Sequence, residues 1–367
     1  MKNLRYFLYC LSLLFFLSAC NEGDTPLDDQ EGSQENFLSY EDGLITLKSG
    51  AIVEKKGDNF YWQGDLMLSQ TQLEALDEFG DIIVEDPSEA ASQTRNIHPV
   101  YNIPVKAGED NVAVPRAFGI NPTPFNMWAM VRFVYSPTLT FDRRNIIRQA
   151  LQHWEANTNV RFYNATGQPT VDPVYGFAYP YLEFVNSTVN SSFVGRIGGR
   201  QAVNIAAFQT VAVAIHEIGH AIGLLHEQSR FDRDSFINLN LSNVPSDNRH
   251  NFNKRTTNYY AVGPLDYNSV MMYGSFDFAI NPSIPVMTRK DGTTWTGGNV
   301  LSGGDRSWAN SIYIPYIARS DIYAELAPVV FKPDNTIMSA SERLQLQAQL
   351  NNGNPNPPNC CRLPNNF

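Results

Sequence analysis

Two long segments of the chain carry apolar residues at helical spacing, three or four positions apart. One covers residues 145–157 and the other covers residues 210–224. The apolar positions are Ile146, Ile147, Ala150, Leu151 and Trp154 in the first, and Val211, Ala214, Ile215, Ile218 and Ile222 in the second. Such a stripe predicts a helix with one buried face. Shorter apolar runs at residues 160–163 and 181–185 predict strands.

Residues 1–20 have the pattern of an export signal. A short basic start with Lys2 and Arg5 precedes an apolar run, residues 6–17, that is too short to cross a bilayer as a helix. The run ends in Leu-Ser-Ala-Cys, which resembles a bacterial lipobox and implies a lipid on Cys20. The alternative is an ordinary secretory signal with an incidental cysteine. In both cases the protein is exported, and a lipid would place it on the bacterial outer membrane or cell surface.

The next segment, residues 21–45, is acidic and polar and has few residues that could form a core, so we predict a flexible tether. The net charge of −10 argues against a nucleic-acid partner. The only membrane contact that we expect is through the lipid at Cys20. With 43% hydrophobic residues among 367, the rest of the chain can form one sizeable domain with smaller appendages.

The most specific pattern in the sequence begins at His216. His216 and His220 are four positions apart, so on a helix they share a face and can bind one metal ion. Glu217 would lie beside the metal, where a carboxylate can accept a proton from a water molecule. Gly223 allows a sharp turn out of the helix, which brings His226 back as a third ligand. Three His ligands with an open fourth position are typical of a catalytic zinc, so we predict one Zn²⁺ ion.

The pattern continues beyond the third histidine, and residues 216–234 match every fixed position of the extended zinc signature of the astacin family. Residues 265–273 resemble the Met-turn of that family. The resemblance implies that Met271 forms a hydrophobic base beneath the metal and that Tyr273 is an additional zinc-associated ligand. Met272 departs from the family, in which many members carry His at this position, but it is outside the expected ligand set.

The resemblance covers roughly residues 117–315 and implies an α+β fold, a metzincin-type zincin catalytic domain with a twisted mixed sheet and an active-site helix. The turn at residues 192–199 is similar to the one before the family's edge strand, here residues 203–206, which can pair with an extended substrate. We expect residues 316–367 to form an extension that packs on the main domain. The Ser-x-x-Glu sequence at residues 339–342 predicts a helix start there.

The family's activity implies a zinc metalloendopeptidase that hydrolyses protein or peptide substrates with a zinc-activated water. Glu217 would accept the proton and return it to the leaving amine, and Tyr273 would donate a hydrogen bond to the oxyanion. The family often prefers acidic side chains after the cut, for which Arg289 and Lys290 are candidate partners by position. The alternative is a zinc-containing surface lipoprotein that binds peptide or glycan without hydrolysis. Such a protein would lack the base or would have a closed fourth ligand position.

An inhibitory segment is predicted upstream, within residues 46–116. Residues 60–68 resemble the Phe-x-Gly-Asp motif of astacin pro-segments, with Trp62 in the aromatic position. The resemblance implies that Asp65 binds the zinc in the zymogen and excludes the water. The alternative is a simple turn, because Gly-Asp is common in turns.

Activation would need a cut by another protease between the pro-segment and the catalytic domain. Arg116 followed by Ala117 gives a mature start near the distance expected for the family, and Arg95 is the competing site. By the resemblance, the new α-amino group would be buried near Glu227. Such a cut would also release the catalytic domain from a lipid at Cys20.

Cysteine usage departs from that of animal astacins, which have two disulfides in the catalytic domain. No cysteine occurs in residues 117–315, and Asn159 stands where one of the family's cysteines is expected. The cysteines of the chain are Cys10, Cys20, Cys360 and Cys361. We therefore expect the core alone to stabilise the domain. For the adjacent pair near the end we expect an intermolecular bridge or a free thiol.

Overall fold

The structure is a computed structural model that describes residues 40–82, 117–122, 127–174, 176–207, 209–365 and 367. The predicted export signal with Cys20, residues 21–39 of the predicted tether, and both Arg95 and Arg116 lie outside these residues. No helix in the described ranges is long and apolar enough to span a membrane.

Most of the strands lie in the first two thirds of the chain and the helices are spread along it. The strands are β1 (Gly43–Thr46), β2 (Ile52–Lys56), β3 (Asn59–Trp62), β4 (Leu66–Leu68), β5 (Ala117–Ile120), β6 (Val131–Tyr135), β7 (Phe162–Asn164), β8 (Tyr181–Asn186), β9 (Ser191–Phe193), β10 (Arg200–Ile205), β11 (Ile237–Leu239), β12 (Tyr259–Val262) and β13 (Met287–Arg289). The α-helices are α1 (Gln70–Phe79), α2 (Phe141–Asn157), α3 (Val211–Ile222), α4 (Gly303–Ile312) and α5 (Ala340–Leu350). Short 3₁₀ turns follow α3.

Nine of these strands form one mixed sheet in the order β1-β2-β3-β4-β9-β10-β8-β6-β7. Strands β1 to β4 are an antiparallel meander, and β10, β8, β6 and β7 run parallel to one another. Strand β9 joins the two parts, because it is antiparallel to β10 and parallel to β4. The predicted α+β class, with a mixed sheet and a helix carrying the first two histidines, is confirmed.

Helices α2 and α3 pack on the sheet through the apolar stripes that the sequence shows. Ile147, Ala150, Leu151 and Trp154 of α2 are fully buried, and the Trp154 indole donates to the Ile215 carbonyl of α3 at 3.1 Å. Helix α2 begins at Phe141, four residues before the predicted start, because the Thr140 hydroxyl caps it.

The prediction for the edge strand was wrong. Residues 203–205 lie inside the sheet as part of β10, between β8 and β9, with Val203 and Ile205 fully buried. The strand beside the pro-segment is instead β9, where Ser192 pairs with Val203 on one side and with Leu66 of β4 on the other. The apolar alternation of β10 indicates one buried face but does not distinguish an interior strand from an edge strand, and the short polar β9 gives little signal in the sequence.

The predicted tether extends too far. Residues 43–45, its last three, belong to β1, and Ile45 is buried opposite Val53 of β2. This strand is stabilised by pairing with a partner several residues away, which the polar composition of the preceding segment does not indicate.

The C-terminal residues pack on the helices and on one edge of the main sheet. The Asn159 side chain forms two hydrogen bonds of 2.8 Å with the backbone of Phe331, at the position where the family's cysteine was expected. Asn365 donates to the Phe162 carbonyl and accepts from the Asn164 amide of β7, at 3.0 Å for the second bond. The described end of the chain is therefore attached to β7, and the domain boundary at residue 316 stays a prediction.

Helix α5 begins with the predicted capping box of Ser339 and Glu342. Cys360 and Cys361 are exposed and free, with their sulfurs 2.7 Å apart. The expected choice between a free thiol and an intermolecular bridge stays open for this pair.

Replacing the buried Asn159 with Ala should destabilise the protein by about 2–3 kcal/mol, because two hydrogen bonds to the half-buried backbone of Phe331 are lost. Denaturant unfolding of the purified chain would measure the change in the free energy of unfolding. Asn356→Ala, at an exposed position in the same C-terminal region, should change it by less than about 0.5 kcal/mol. Equal effects of the two substitutions would contradict this account of Asn159.

Candidate metal centre

Helix α3 and the turn after it bring three histidines together. The helix ends at Gly223, whose φ of 116° belongs to the left-handed region. A Cβ on Gly223 would lie 2.9 Å from the Trp308 ring, so both the backbone conformation and the packing require glycine. The chain then reverses, and His226 returns to face His216 and His220, as predicted.

Backbone carbonyls orient the rings of the first two histidines. His216 Nδ1 lies 2.7 Å from the Val270 carbonyl, and His220 Nδ1 lies 2.9 Å from the Leu224 carbonyl. A carbonyl only accepts, so each Nδ1 carries the proton and each Nε2 has a free lone pair. These two Nε2 atoms are 3.1 Å apart.

Asp65, in the predicted pro-segment, completes the cluster. Its carboxylate oxygens lie 3.4 Å from His216 Nε2, 3.5 Å from His220 Nε2 and 3.2 Å from His226 Nε2. Lone pairs of nitrogen and oxygen that face one another at these distances repel, and a cation between them removes the repulsion. Two nitrogens on one tetrahedral zinc would be about 3.3 Å apart, close to the spacing observed. The donor set therefore fits a single zinc ion.

Burial and the nearby carboxylates have opposite effects on the pKa values of His216 and His220. Burial lowers the pKa of His220 to about 4, which keeps its imidazole neutral and able to act as a ligand. Burial also lowers the pKa of His216, but Asp65 and Glu217 outweigh burial and raise it to about 9. The same two carboxylates would stabilise a metal cation in place of that proton.

Glu217 is positioned as a proton acceptor beside the cluster. Its side chain is buried, and its Oε2 makes no hydrogen bond with any described residue. Burial and the Asp65 carboxylate raise the pKa of Glu217 well above its ordinary value, although His216 opposes the shift. A carboxylate that both loses and gains a proton readily is what a general base and acid requires.

The Met-turn lies directly against the helix that carries the ligands. A Cβ on Gly219 would be 2.7 Å from the Met271 sulfur, so the close packing of Met271 under the helix requires glycine at this position. The sequence pattern did not indicate this role of Gly219. Asp305, at the start of α4, accepts hydrogen bonds from the Ser269 hydroxyl at 2.6 Å and the Val270 amide at 3.0 Å. It thereby fixes the loop whose Val270 carbonyl orients His216.

Tyr273 lies between the metal centre and the pro-segment. Its ring is 4.7 Å from that of His226, and its hydroxyl donates to the Gln63 carbonyl at 3.1 Å. Gly64 has a φ of 101° and lies against this hydroxyl. A Cβ on Gly64 would be 2.8 Å from the Tyr273 hydroxyl oxygen. The turn before Asp65 therefore needs glycine, and Tyr273 holds that turn rather than pointing to open space.

The charged residues after His226 connect the helix exit to the start of β5. Burial raises the pKa of Glu227 to about 8, although its Oε1 accepts from the Asp266 amide at 2.9 Å and contacts Arg230 at 3.4 Å. Arg230 also donates to the Ala117 carbonyl at 3.3 Å. Ala117, the first residue of the expected mature start, is thus buried. Its carbonyl contacts the same Arg230 side chain that contacts Glu227.

The cations expected in the cleft have partners elsewhere. Arg289 lies 4.6 Å from the ring of Tyr267 and also contacts Trp295, and Lys290 donates to Asn238 at 3.2 Å. The cation that touches the pro-segment is instead Arg255, 5.6 Å from the Trp62 ring. No local pattern in the sequence singles it out.

Comparison with known proteins agrees with this geometry. The family model described as Astacin, a peptidase family, matches residues 121–314. The chain belongs to the astacin family. Its relatives are zinc metalloendopeptidases, and astacins use one catalytic zinc, which identifies the metal for the four-donor cluster.

Individual astacin relatives match the central part of the chain. Flavastacin from Elizabethkingia meningoseptica is 37% identical over 171 residues, which cover 46% of this chain and 36% of flavastacin. Zinc metalloproteinase nas-38 from Caenorhabditis elegans is 32% identical over 234 residues, covering 62% of this chain and 27% of that protein. The chain thus spans about a third of the length of these curated relatives. The solved structure of High choriolytic enzyme 1, a hatching enzyme zinc-protease from Oryzias latipes, has a TM-score of 0.45 and 27% identity, covering 51% of this chain and 93% of that chain.

The purified protein should contain one zinc ion per chain, and His226→Ala should lower its zinc affinity at least about a hundredfold, because the site loses a buried ligand. Atomic emission and a competing chelator would measure both quantities. His153→Gln, which changes a histidine outside the cluster, should leave the zinc content unchanged. Full zinc occupancy in the His226 variant would contradict the assigned ligand set.

Proposed function

We propose that this astacin is a zinc metalloendopeptidase made as a zymogen in which Asp65 blocks the metal. The observation that carries this proposal is the approach of the Asp65 carboxylate to 3.2–3.5 Å from three histidine nitrogens. A carboxylate at this place occupies the position that a water nucleophile needs. While Asp65 stays there, the site has four protein donors and cannot act.

The chemistry would be hydrolysis of a peptide bond. Zinc, when bound, supplies a Lewis acid that lowers the pKa of a water molecule and polarises the carbonyl. Glu217 accepts the proton of that water and passes it to the leaving amine. The Tyr273 hydroxyl, once the pro-segment no longer accepts its hydrogen bond, can donate to the oxyanion that develops. Met271 packs under the helix and keeps His216 and His220 in position.

The substrates would be proteins or peptides bound in extended form. Strand β9 pairs with β4 of the pro-segment along its outer edge, at Ser192 and Phe193. When β4 leaves, those backbone groups become available to a substrate strand. Any preference for acidic side chains would then depend on a cation in the vacated region, where Arg255 lies beside Trp62.

We further propose export as a lipoprotein anchored at Cys20, with residues 46–116 as the pro-segment and residues 117–315 as the catalytic domain. An activating protease would cut between Arg116 and Ala117 and release the enzyme. Support comes from the Ala117 carbonyl, which already contacts Arg230, and from Glu227, whose buried Oε2 makes no hydrogen bond with the described residues. A new α-amino group at Ala117 would supply the charge that this carboxylate needs.

One observation favours the second candidate, a surface lipoprotein that holds zinc without hydrolysis. With Asp65 in place the metal site has four protein donors, which is usual for a structural zinc. The two functions differ in what happens when Asp65 is removed.

Glu217→Gln should abolish hydrolysis of a quenched peptide by the catalytic fragment after the pro-segment has been removed. Loss of the proton acceptor should lower kcat/KM by about 10²–10⁴-fold or more, while the zinc content stays at one ion per chain. Glu342→Gln on helix α5 is the matched control and should keep full activity. A zinc-loaded Glu217 variant that still hydrolyses peptides would remove Glu217 from the mechanism.

Asp65→Ala should make the uncut chain active, because the fourth donor is gone, whereas the uncut wild-type chain stays latent. Gly64→Ala should act in the same direction, since its Cβ would push the turn away from Tyr273. Asp58→Ala, at an exposed position in the same segment, should remain latent. The measurement is peptide hydrolysis by uncut chains of verified zinc content. Zinc-loaded Asp65→Ala without any hydrolysis would favour the binding lipoprotein.

A further inference from the structure

The pro-segment contacts the rest of the protein at a second charged site. This site follows α1 in the sequence, whereas Asp65 precedes that helix. The Asp81 carboxylate contacts Arg255 Nη2 with one oxygen and the Thr257 hydroxyl with the other. Asp81 and Arg255 are both almost fully buried. Removing one partner of an ion pair so deeply buried is costly, because the other charge is left without hydration or a partner.

Arg255 is held in place by the catalytic side of this contact. Its amide donates to the Ser229 carbonyl at 2.7 Å, its Nε to the Thr257 carbonyl at 3.1 Å, and its Nη2 to the Asn258 carbonyl at 3.2 Å. The Thr257 and Asn258 carbonyls orient the guanidinium but do not neutralise its charge. Among the described residues, Asp81 supplies the carboxylate that pairs with it.

Residues 41–82, here called the pro-segment body, make further contacts with the rest of the protein. Val53, Phe60, Leu66, Leu73 and Leu76 of the body are all nearly or fully buried in the intact chain. Strand β4 continues the main sheet through β9. Gln63 and Gln72 add hydrogen bonds to the Asn253 and Val194 carbonyls, at 3.3 and 3.4 Å.

The expected cuts lie outside this body. Arg95 and Arg116 follow Asp81 in the sequence, so cleavage at either leaves Asp65, β4 and Asp81 on one fragment. Cleavage therefore breaks none of the described contacts between that fragment and the catalytic domain.

We propose that the Asp81–Arg255 pair is a second latch, separate from Asp65, that keeps the pro-segment body bound as a non-covalent inhibitor after the chain is cut. Activation then takes two steps, cleavage followed by departure of the body. Asp65 closes the metal site, and Asp81 determines how long it stays closed. This inference rests on the proposed zymogen function, but binding of the cut body can be measured without any peptidase activity.

The test uses the full chain, cut with trypsin in residues 83–116 and checked by mass spectrometry. Native size-exclusion at a series of dilutions measures the fraction of the body that co-elutes with the catalytic fragment. The wild-type body should co-elute, and Asp81→Asn should weaken its binding at least about thirtyfold, because Arg255 is left buried and unpaired. Thr257→Val, which removes a donor to Asp81 from the catalytic side, should weaken binding in the same direction.

Asp42→Asn is the matched control, since Asp42 pairs with Lys55 at 3.7 Å within the body and is exposed. It should change binding less than about fivefold. A wild-type body that elutes alone would overturn the latch. So would Asp81→Asn and Thr257→Val chains whose bodies stay bound to the catalytic fragment as tightly as in wild type. If the Asp81 variant releases its body and no preparation hydrolyses peptides, the latch stands and the proposed peptidase function fails.

Discussion

Electrostatic repulsion at the centre of the cluster is the constraint on which the rest of the structure depends. Free lone pairs on His216 and His220 face each other at 3.1 Å, and the Asp65 carboxylate faces both. A proton on His216 or a metal ion between the donors makes this arrangement favourable, and the surrounding protein holds the donors in place for it. The Gly223 turn, the Val270 and Leu224 carbonyls and the close contact of Met271 with the helix serve this requirement.

The sequence predicted the parts of the site that are local. Histidine spacing on one helix turn and a single glycine exit determine where His226 returns, so periodicity and turn chemistry were sufficient. Asp65 was found only through a motif resemblance. The Asp81–Arg255 pair joins residues 174 positions apart, and no periodicity records such a pairing. Strand β9 was missed because its short polar sequence is stabilised by its neighbours rather than by its own propensity.

The catalytic region achieves its stability without the cysteines of animal relatives. The side-chain amide of Asn159 pairs with the backbone of a residue 172 positions later, at the place where animal relatives have a cysteine. Hydrogen bonds of this kind act on the folded state and do not restrict the unfolded chain as a disulfide does. The apolar packing of α2 and α3 on the sheet therefore contributes the larger part of the stability.

Strand β7, at one end of the main sheet, and strand β9, inside it, differ in how their backbone groups are satisfied. At β7, Asn365 binds the Phe162 carbonyl and the Asn164 amide, which blocks pairing with a foreign strand. At β9, the neighbouring strand β4 belongs to the segment that the proposed activation removes. The mature protein would thus expose an unpaired strand at its substrate cleft, and the same edge invites aggregation between copies. The pro-segment would therefore also protect solubility for as long as it covers that edge.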